Sequence, residues 1–227
     1  ERMKGVGPMN RLTLDDMYPA MPWDALDAVV FDVGNVLVRF VPEDILRRVL
    51  PGEEAIWPEL QRKVFRSPYW AMLDRGVMTY EEAAKAMTGR EGHLAGPIRL
   101  LLENWRDLPD VIDEGVDALR WCKAHGKRTY VLSNYNDRAF DFLRGKYAFF
   151  QLFDGEVVSG RERLVKPDPA IYRLLTGRFA LAPQRTLFID DTPANVEAAL
   201  DLGWQGICYV PGRLNAFFSS EMGKEKK

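Results

Sequence analysis

Two stretches decide the fold: Ala28-Val29-Val30-Phe31-Asp32 near one end of the chain and Leu187-Phe188-Ile189-Asp190-Asp191 near the other. Each is a short apolar run that passes directly into aspartate. Runs of this length, bounded by turn residues and alternating with amphipathic helical patterns, read as strands buried on both faces of a parallel sheet. Ligands of such sheets bind outside the carboxyl ends of the strands. Asp32, Asp190 and Asp191 are therefore expected to meet at one sheet edge. Two carboxylates ~4 Å apart at an effective dielectric near 20 repel by about 4 kcal/mol, so the cluster calls for a cation or a shared proton. A divalent metal meets that need.

Outward from the first run the character changes. Between Pro42 and Trp105 no strand-like run appears, while Tyr80, Ala83, Ala84 and Met87, and again Ile98, Leu101, Leu102 and Trp105, recur at i, i+3, i+4, i+7. This spacing predicts an all-helical insertion of about 60 residues, its stripes packing as a bundle. Beyond it, strand and helix patterns alternate. A helix from Pro109 to Cys122 leads to a strand at Thr129–Leu132, then a helix carrying Phe140 and Leu143 and a short extended piece, Glu156–Val158. A helix from Pro169 to Leu175, the strand Leu187–Ile189, a helix from Pro193 to Leu202 closed by Gly203, and a last strand Gly206–Val210 complete the series. Such repetition predicts an α/β class with a doubly wound parallel sheet. Residues 1–41 and 107–227 would form this core and residues 42–106 a helical cap. The Lys-rich end, Lys224–Lys227, reads as frayed. Because residue 1 is Glu, whether Glu1–Pro8 is native stays open.

The 227 residues suit one domain of average to large size, or a core with an insertion. Apolar residues at 47% and charged residues at 28% place the chain among soluble globular proteins. A net charge of −2 and a pI near 5.8 give no electrostatic footprint for nucleic acid or an anionic membrane. No apolar run approaches the ~20 residues that span a bilayer. The expected partner is a small molecule, met in the cytoplasm by a monomer or homodimer. Cys122 and Cys208 stand far apart and read as buried reduced thiols. With only His93 and His125 present, acid–base chemistry falls mainly to carboxylates, and a zinc site or histidine triad is not expected.

Asp32, followed by Val33-Gly34-Asn35, is held at the sheet edge where glycine lets another group approach the backbone. It suits a nucleophile and metal ligand, or a turn aspartate binding local amides. Ser133 and Asn134, directly after a strand, offer a hydroxyl and backbone N–H groups to a phosphoryl oxygen, or form a plain turn, with Asn136 as the next N-cap. Lys166 precedes Pro167-Asp168-Pro169, whose prolines stiffen the backbone; its ammonium is either aimed at a fixed point or solvated. Asp168 caps the helix that opens at Pro169. In Asp190-Asp191-Thr192-Pro193, Thr192 and Pro193 supply the helix cap and first turn, leaving both aspartates as hard oxygen ligands of the kind magnesium takes, or merely solvated. Asn195 either braces this loop or is exposed.

Asp32-Val33-Gly34-Asn35-Val36, Ser133-Asn134, Lys166-Pro167 and Asp190-Asp191, in this order and spacing, resemble the four motifs of the haloacid dehalogenase-like hydrolase superfamily. The resemblance covers nearly everything from Ala28 to Val210. The helical insertion looks like that superfamily's small cap on its Rossmann-like core. The stretch from Val131 to Gly203 looks especially like its sugar-phosphate phosphatases and the epoxide-hydrolase-type phosphatase domain. The resemblance implies a phosphatase in which Asp32 is the nucleophile that forms an aspartyl-phosphate. It further implies Mg²⁺ bound by the Asp32 carboxylate, the Gly34 backbone carbonyl and Asp191, with Asp190 supporting, and a phosphoryl group held by Ser133, Asn134 and Lys166. The substrate would be a small phosphorylated metabolite. Alternatives are a 2-haloacid dehalogenase, against which the Asp190-Asp191 pair speaks, and a binding protein that keeps the fold without turnover.

The chain departs from that pattern at Gly34. Most phosphatases it resembles carry a second aspartate there, which protonates the leaving oxygen and then activates water. A positioned general acid is worth about 10²- to 10⁴-fold, so the departure has to be met somewhere. One expectation is a substrate that departs easily, an anomeric sugar phosphate or an acyl phosphate. Another is an acid from the cap, where Asp74-Arg75-Gly76 lies between Trp70 and a helix starting near Thr79. Asp74 would supply the proton and Arg75 grip a substrate hydroxyl or carboxylate. The same turn also reads as a surface loop with a glycine C-cap, and Trp70 and Trp105 as cap core or pocket walls.

Overall fold

A computed structural model describes residues 22–89, 92–107 and 109–224, with side chains through Phe218. Glu1–Pro8 and, of the Lys-rich end, residues 225–227 lie outside the described residues. Five strands, β1 (Ala28–Phe31), β2 (Arg128–Ser133), β3 (Gly155–Val158), β4 (Thr186–Asp190) and β5 (Gln205–Cys208), form one parallel sheet in the order β3-β2-β1-β4-β5. All four residues of β1 are fully buried, which a central strand covered on both faces requires. Alternate side chains enter opposite layers. Val29, Phe31, Val131 and Ile189 join one apolar cluster, while Ala28, Val30, Leu132 and Phe188 join the other.

Between β1 and β2 the chain runs through α1 (Pro42–Val49), α2 (Trp57–Leu60), α3 (Pro68–Asp74), α4 (Tyr80–Thr88) and α5 (Ala95–Asn104), and then returns along α6 (Asp113–Ala124). After β2 come α7 (Asp137–Lys146), α8 (Ser159–Glu162), α9 (Pro169–Phe179), α10 (Pro193–Asp201) and α11 (Arg213–Lys224). Leu119 of α6, Phe140 of α7 and Leu214 of α11 cover one face of the sheet; Ile171 and Tyr172 of α9 and Ala199 of α10 cover the other. The first cluster continues without a break into Trp70, Leu73, Ile98 and Leu101. The inserted helices therefore rest on an apolar continuation of the core.

Local chemistry sets the helix starts. Ser67 accepts from the Trp70 N–H with Pro68 at the first helical position, and Thr79 and Glu82 form a reciprocal capping box at α4. Asn136 caps α7 through the Ala139 N–H, and Asp168 caps α9 through the Ala170 N–H. Most boundaries shift by a residue or two from the sequence expectation, and a few differ for a visible reason or by more. The α6 helix opens at Asp113 rather than Pro109, because Val111 bridges Val38 and the Ile112 N–H donates to the Leu37 carbonyl, holding this stretch extended. The α9 helix continues past Leu175 to Phe179, and β5 ends at Cys208 because its partner β4 turns away after Asp190. Both cysteines are buried and free, and burial pushes the Cys122 thiol up. Among the described residues no helix is long and apolar enough to cross a membrane.

Candidate active site

The carboxyl ends of β1, β2 and β4 meet where the strand order reverses, the usual ligand position of such sheets. Asp32 directly follows β1, its N–H still paired with the Ile189 carbonyl at 2.9 Å. Its Oδ1 accepts from the Val33 N–H at 2.7 Å, the Ser133 hydroxyl at 2.8 Å and the Lys166 ammonium at 2.9 Å. Among the described residues none donates to Oδ2. One oxygen is thus locked and the other is left for a ligand.

Lys166 bridges the two ends of the chain. Its Nζ stands 2.9 Å from Asp32 Oδ1 and 2.6 Å from Asp190 Oδ2, with the Phe188 ring 5.4 Å away. The Asn134 side chain fixes the lysine backbone from both sides, accepting from the Lys166 N–H at 2.8 Å and donating to its carbonyl at 2.9 Å. Asn134 therefore uses its amide to place Lys166, which leaves one amide N–H and its main chain for a phosphoryl group. Burial acts to lower the Lys166 pKa, but Asp190 and Asp32 outweigh it and hold the ammonium above the usual lysine range.

Asp190 is fully buried, and its Oδ1 accepts from the Thr192 N–H at 2.8 Å and the Asn195 amide at 3.0 Å. The start of α10 is thus held by Asp190, the task expected of the Thr192 side chain, which makes no cap bond. Asn195 braces the loop. Asp191 is the least committed of the three aspartates: its contacts to the Asn35 amide and the Thr192 hydroxyl are both 3.3 Å. Burial pushes the Asp32 carboxyl up to about 7; the Lys166 ammonium opposes the shift and Asp190 adds to it. Burial and Asp190 likewise raise Asp191.

One oxygen from each of Asp32, Asp190 and Asp191 lies within 4.8 Å of the others. Among the described residues these three carboxylates meet one ammonium, that of Lys166, and Asp32 lines one cavity with the loosely held Asp191. That donor set is all hard oxygen with surplus negative charge, which fits a magnesium ion.

Over this centre lies a cavity of about 180 Å³, floored by Asp32, Asp191 and Asn134. Phe40, Trp70, Trp105 and Tyr135 wall it, with Trp70 and Trp105 centroids 5.0 Å apart and Trp105 and Tyr135 centroids 5.7 Å apart. Asp74 closes the cavity from the end of α3.

A family model for haloacid dehalogenase-like hydrolase matches residues 26–203. The chain belongs to this family. Flavin mononucleotide hydrolase 1 of Arabidopsis thaliana is 26% identical over 81% of this chain and 72% of its own length. The phosphorylated carbohydrates phosphatase of Thermotoga maritima is 27% identical over 84% of this chain and 88% of its own length. Drimenol cyclase drtB of Aspergillus calidoustus is 26% identical over 80% of this chain, which spans 34% of that larger protein. Among solved structures, a family enzyme from Bacteroides thetaiotaomicron in complex with magnesium and inorganic phosphate superposes with a TM-score of 0.65 at 19% identity, covering 83% of this chain and 98% of that one.

In this hydrolase the motif residues Asp32, Ser133, Asn134, Lys166, Asp190 and Asp191 converge on one point, and Gly34 lies beside them. The cap turn divides. Asp74 faces the nucleophile's cavity, whereas Arg75 lies outside it, exposed, with its Nε donating to the Arg163 carbonyl at 3.1 Å. Trp70 and Trp105 are buried core and cavity wall at once. Sequence reasoning assigned no role to Tyr135 or Phe40 as cavity walls. Tyr135 follows the Ser133-Asn134 motif directly, which was a usable signal; Phe40 reaches the cavity only through the tertiary path after β1. Asn35, read only as part of the first motif, sits at φ +53, accepts from the Phe40 N–H at 2.9 Å and turns its amide to Asp191.

Proposed function

We propose that this hydrolase is a Mg²⁺-dependent phosphatase that transfers phosphate from a small metabolite, such as a sugar 1-phosphate, to Asp32 and then to water. The observation that carries this reading is the split use of Asp32: one oxygen is locked by Val33, Ser133 and Lys166, none of the described residues donates to the other, and Asp32 lines one cavity with the loosely held Asp191. A dehalogenase that works without metal has little use for that arrangement. The flavin mononucleotide and carbohydrate phosphatases among the relatives support the same reaction class.

In this reading the Asp32 carboxylate attacks phosphorus, and two displacements replace one difficult hydrolysis. Lys166 and the Ser133 hydroxyl orient the nucleophile and neutralise charge that develops on the phosphoryl oxygens. Asp32, Asp191 and the Gly34 carbonyl would hold Mg²⁺, with Asp190 behind them fixing Lys166 and the loop. The ion, when bound, supplies charge neutralisation that lets an anionic substrate approach an anionic nucleophile. A cavity of about 180 Å³ is smaller than the roughly 300 Å³ at which pockets for drug-sized ligands begin, which suits a small group attached to phosphate. Its aromatic walls suit the apolar face of a sugar ring.

The test is phosphate release from a panel of phosphorylated metabolites, with Mg²⁺ and with chelator, for the parent and for Asp32→Asn. Turnover should need the metal and fall by at least roughly 10³-fold in the variant. A variant as active as the parent, or metal-independent halide release from 2-haloacids in place of phosphate release, overturns the reading.

A further inference from the structure

We propose that Asp74, carried by the inserted helices, is the general acid and base of this hydrolase and takes the part that a side chain at position 34 does not supply. The inference rests on the phosphatase reading above and adds a catalytic residue to it.

Asp74 is the last residue of α3 and lines the same cavity as Asp32 and Asp191. The end of that helix is fastened to the sheet's carboxyl edge. The Asn136 amide donates to the Leu73 carbonyl at 3.2 Å, the Ser159 hydroxyl donates to the Asp74 carbonyl, and Arg75 reaches the Arg163 carbonyl at 3.1 Å. Gly76, at φ +72, packs so tightly that an added Cβ would stand 2.1 Å from the Gly160 carbonyl oxygen. The turn that carries Asp74 is thereby fastened to the core domain.

Burial pushes the Asp74 carboxyl up to about 8, while the Asn136 N–H and the Trp70 indole pull it down and Asp32 adds to the rise. The aspartate is therefore protonated near neutral pH, ready to donate, and its conjugate base is strong enough to accept a proton from water. The alternatives on the cavity wall fall away. Asp32 and Asp191 belong to the metal centre, and burial holds the Tyr135 phenol far above the neutral range. At Gly34, which lines the same cavity, an added Cβ would meet nothing within 4 Å, so the space beside the nucleophile is open.

The Asp32 oxygen bonds to phosphorus as the bond from phosphorus to the leaving oxygen breaks, and that oxygen takes the Asp74 proton and departs as an alcohol. Water then attacks the phosphorus of the aspartyl-phosphate, its proton returning to Asp74 as the Asp32–phosphorus bond breaks. Inorganic phosphate leaves, and both aspartates regain their starting states. With such an acid in place the substrate need not have an easily departing group, which removes the reason to restrict it to anomeric or acyl phosphates.

The test compares the parent and Asp74→Asn, with Mg²⁺, on p-nitrophenyl phosphate and glycerol phosphate. The nitrophenolate group needs no acid, so the variant should give a burst of nitrophenol equal to the enzyme present. Turnover should then run about 10²- to 10⁴-fold below the parent, with the phosphoenzyme recoverable on acid quench. Glycerol phosphate should give no burst. Unchanged turnover in the variant overturns the assignment, as does a folded variant that has lost the nitrophenol burst. A parent that releases phosphate from neither compound nor from any metabolite of the panel would instead sink the phosphatase reading itself.

Discussion

At the scale of one residue, Asp74 sets catalysis against stability. In the unfolded chain its carboxyl titrates near 3.8, and in the folded protein near 8. Between those values the folded state keeps a proton that the unfolded state has released, so stability falls as pH rises and the contribution is lost in full above pH 8. Asp74→Asn has no proton to lose. The Tm of the variant should match the parent near pH 4 and exceed it increasingly toward about pH 9, the stability gap growing by at most about 1.4 kcal/mol for each pH unit between the two values, reduced by the group's partial exposure. A Tm difference that ignores pH would refute this. The open space at Gly34 allows a second test: Gly34→Asp placed on Asp74→Asn should recover part of the lost turnover, measured as steady-state phosphate release. Asp32, Lys166, Asp190 and Asp191 were legible because each lies at or beside a strand end or a proline-stiffened loop. The orientation of Asp74 was not, since it depends on hydrogen bonds made by Asn136 and Ser159, 63 and 85 residues away from their partners in sequence.

At the scale of an element, the turn from α3 to α4 decides whether the cap contributes chemistry. Gly76→Ala combines a left-handed backbone with a methyl group 2.1 Å from the Gly160 carbonyl oxygen, so the turn has to move. We expect a loss of about 1–3 kcal/mol and a fall in kcat that exceeds what the reduced folded fraction explains. Gly52→Ala is the control: its φ of +85 is equally left-handed, yet an added Cβ meets nothing within 4 Å. That variant should lose a similar strain energy and keep its kcat. Equal kcat in both variants would separate the turn from the mechanism. Periodicity found the helices themselves, because buried stripes repeat every three or four residues. It misplaced the start of α6, where the Val38–Val111 bridge overrides local preference, and the cap of α10 was assigned to Thr192 when the buried Asp190 holds that helix from just before it.

At the scale of the whole molecule, the sequence placed both aspartate-ended strands at one sheet edge, but not the order β3-β2-β1-β4-β5, which depends on how each crossover packs against the sheet. That order puts β1 beside β4 and so brings residues 32 and 191, from opposite ends of the described chain, to one point. Lys166 offsets only part of the charge gathered there, and the rest works against the folded state until a cation binds. Mg²⁺ should therefore raise the Tm in a concentration-dependent way, by about 2.7 kcal/mol at a hundredfold excess over its Kd, because the unfolded chain does not bring the ligands together. Asp191→Asn should lose most of that increment while its metal-free baseline rises, since one of the repelling charges is gone. Sodium at matched ionic strength screens exposed charges but is a poor match for the buried centre, so it should reproduce little of the shift. If sodium matched magnesium, or if the Asp191→Asn variant kept the full increment, the three aspartates would not act as one metal site.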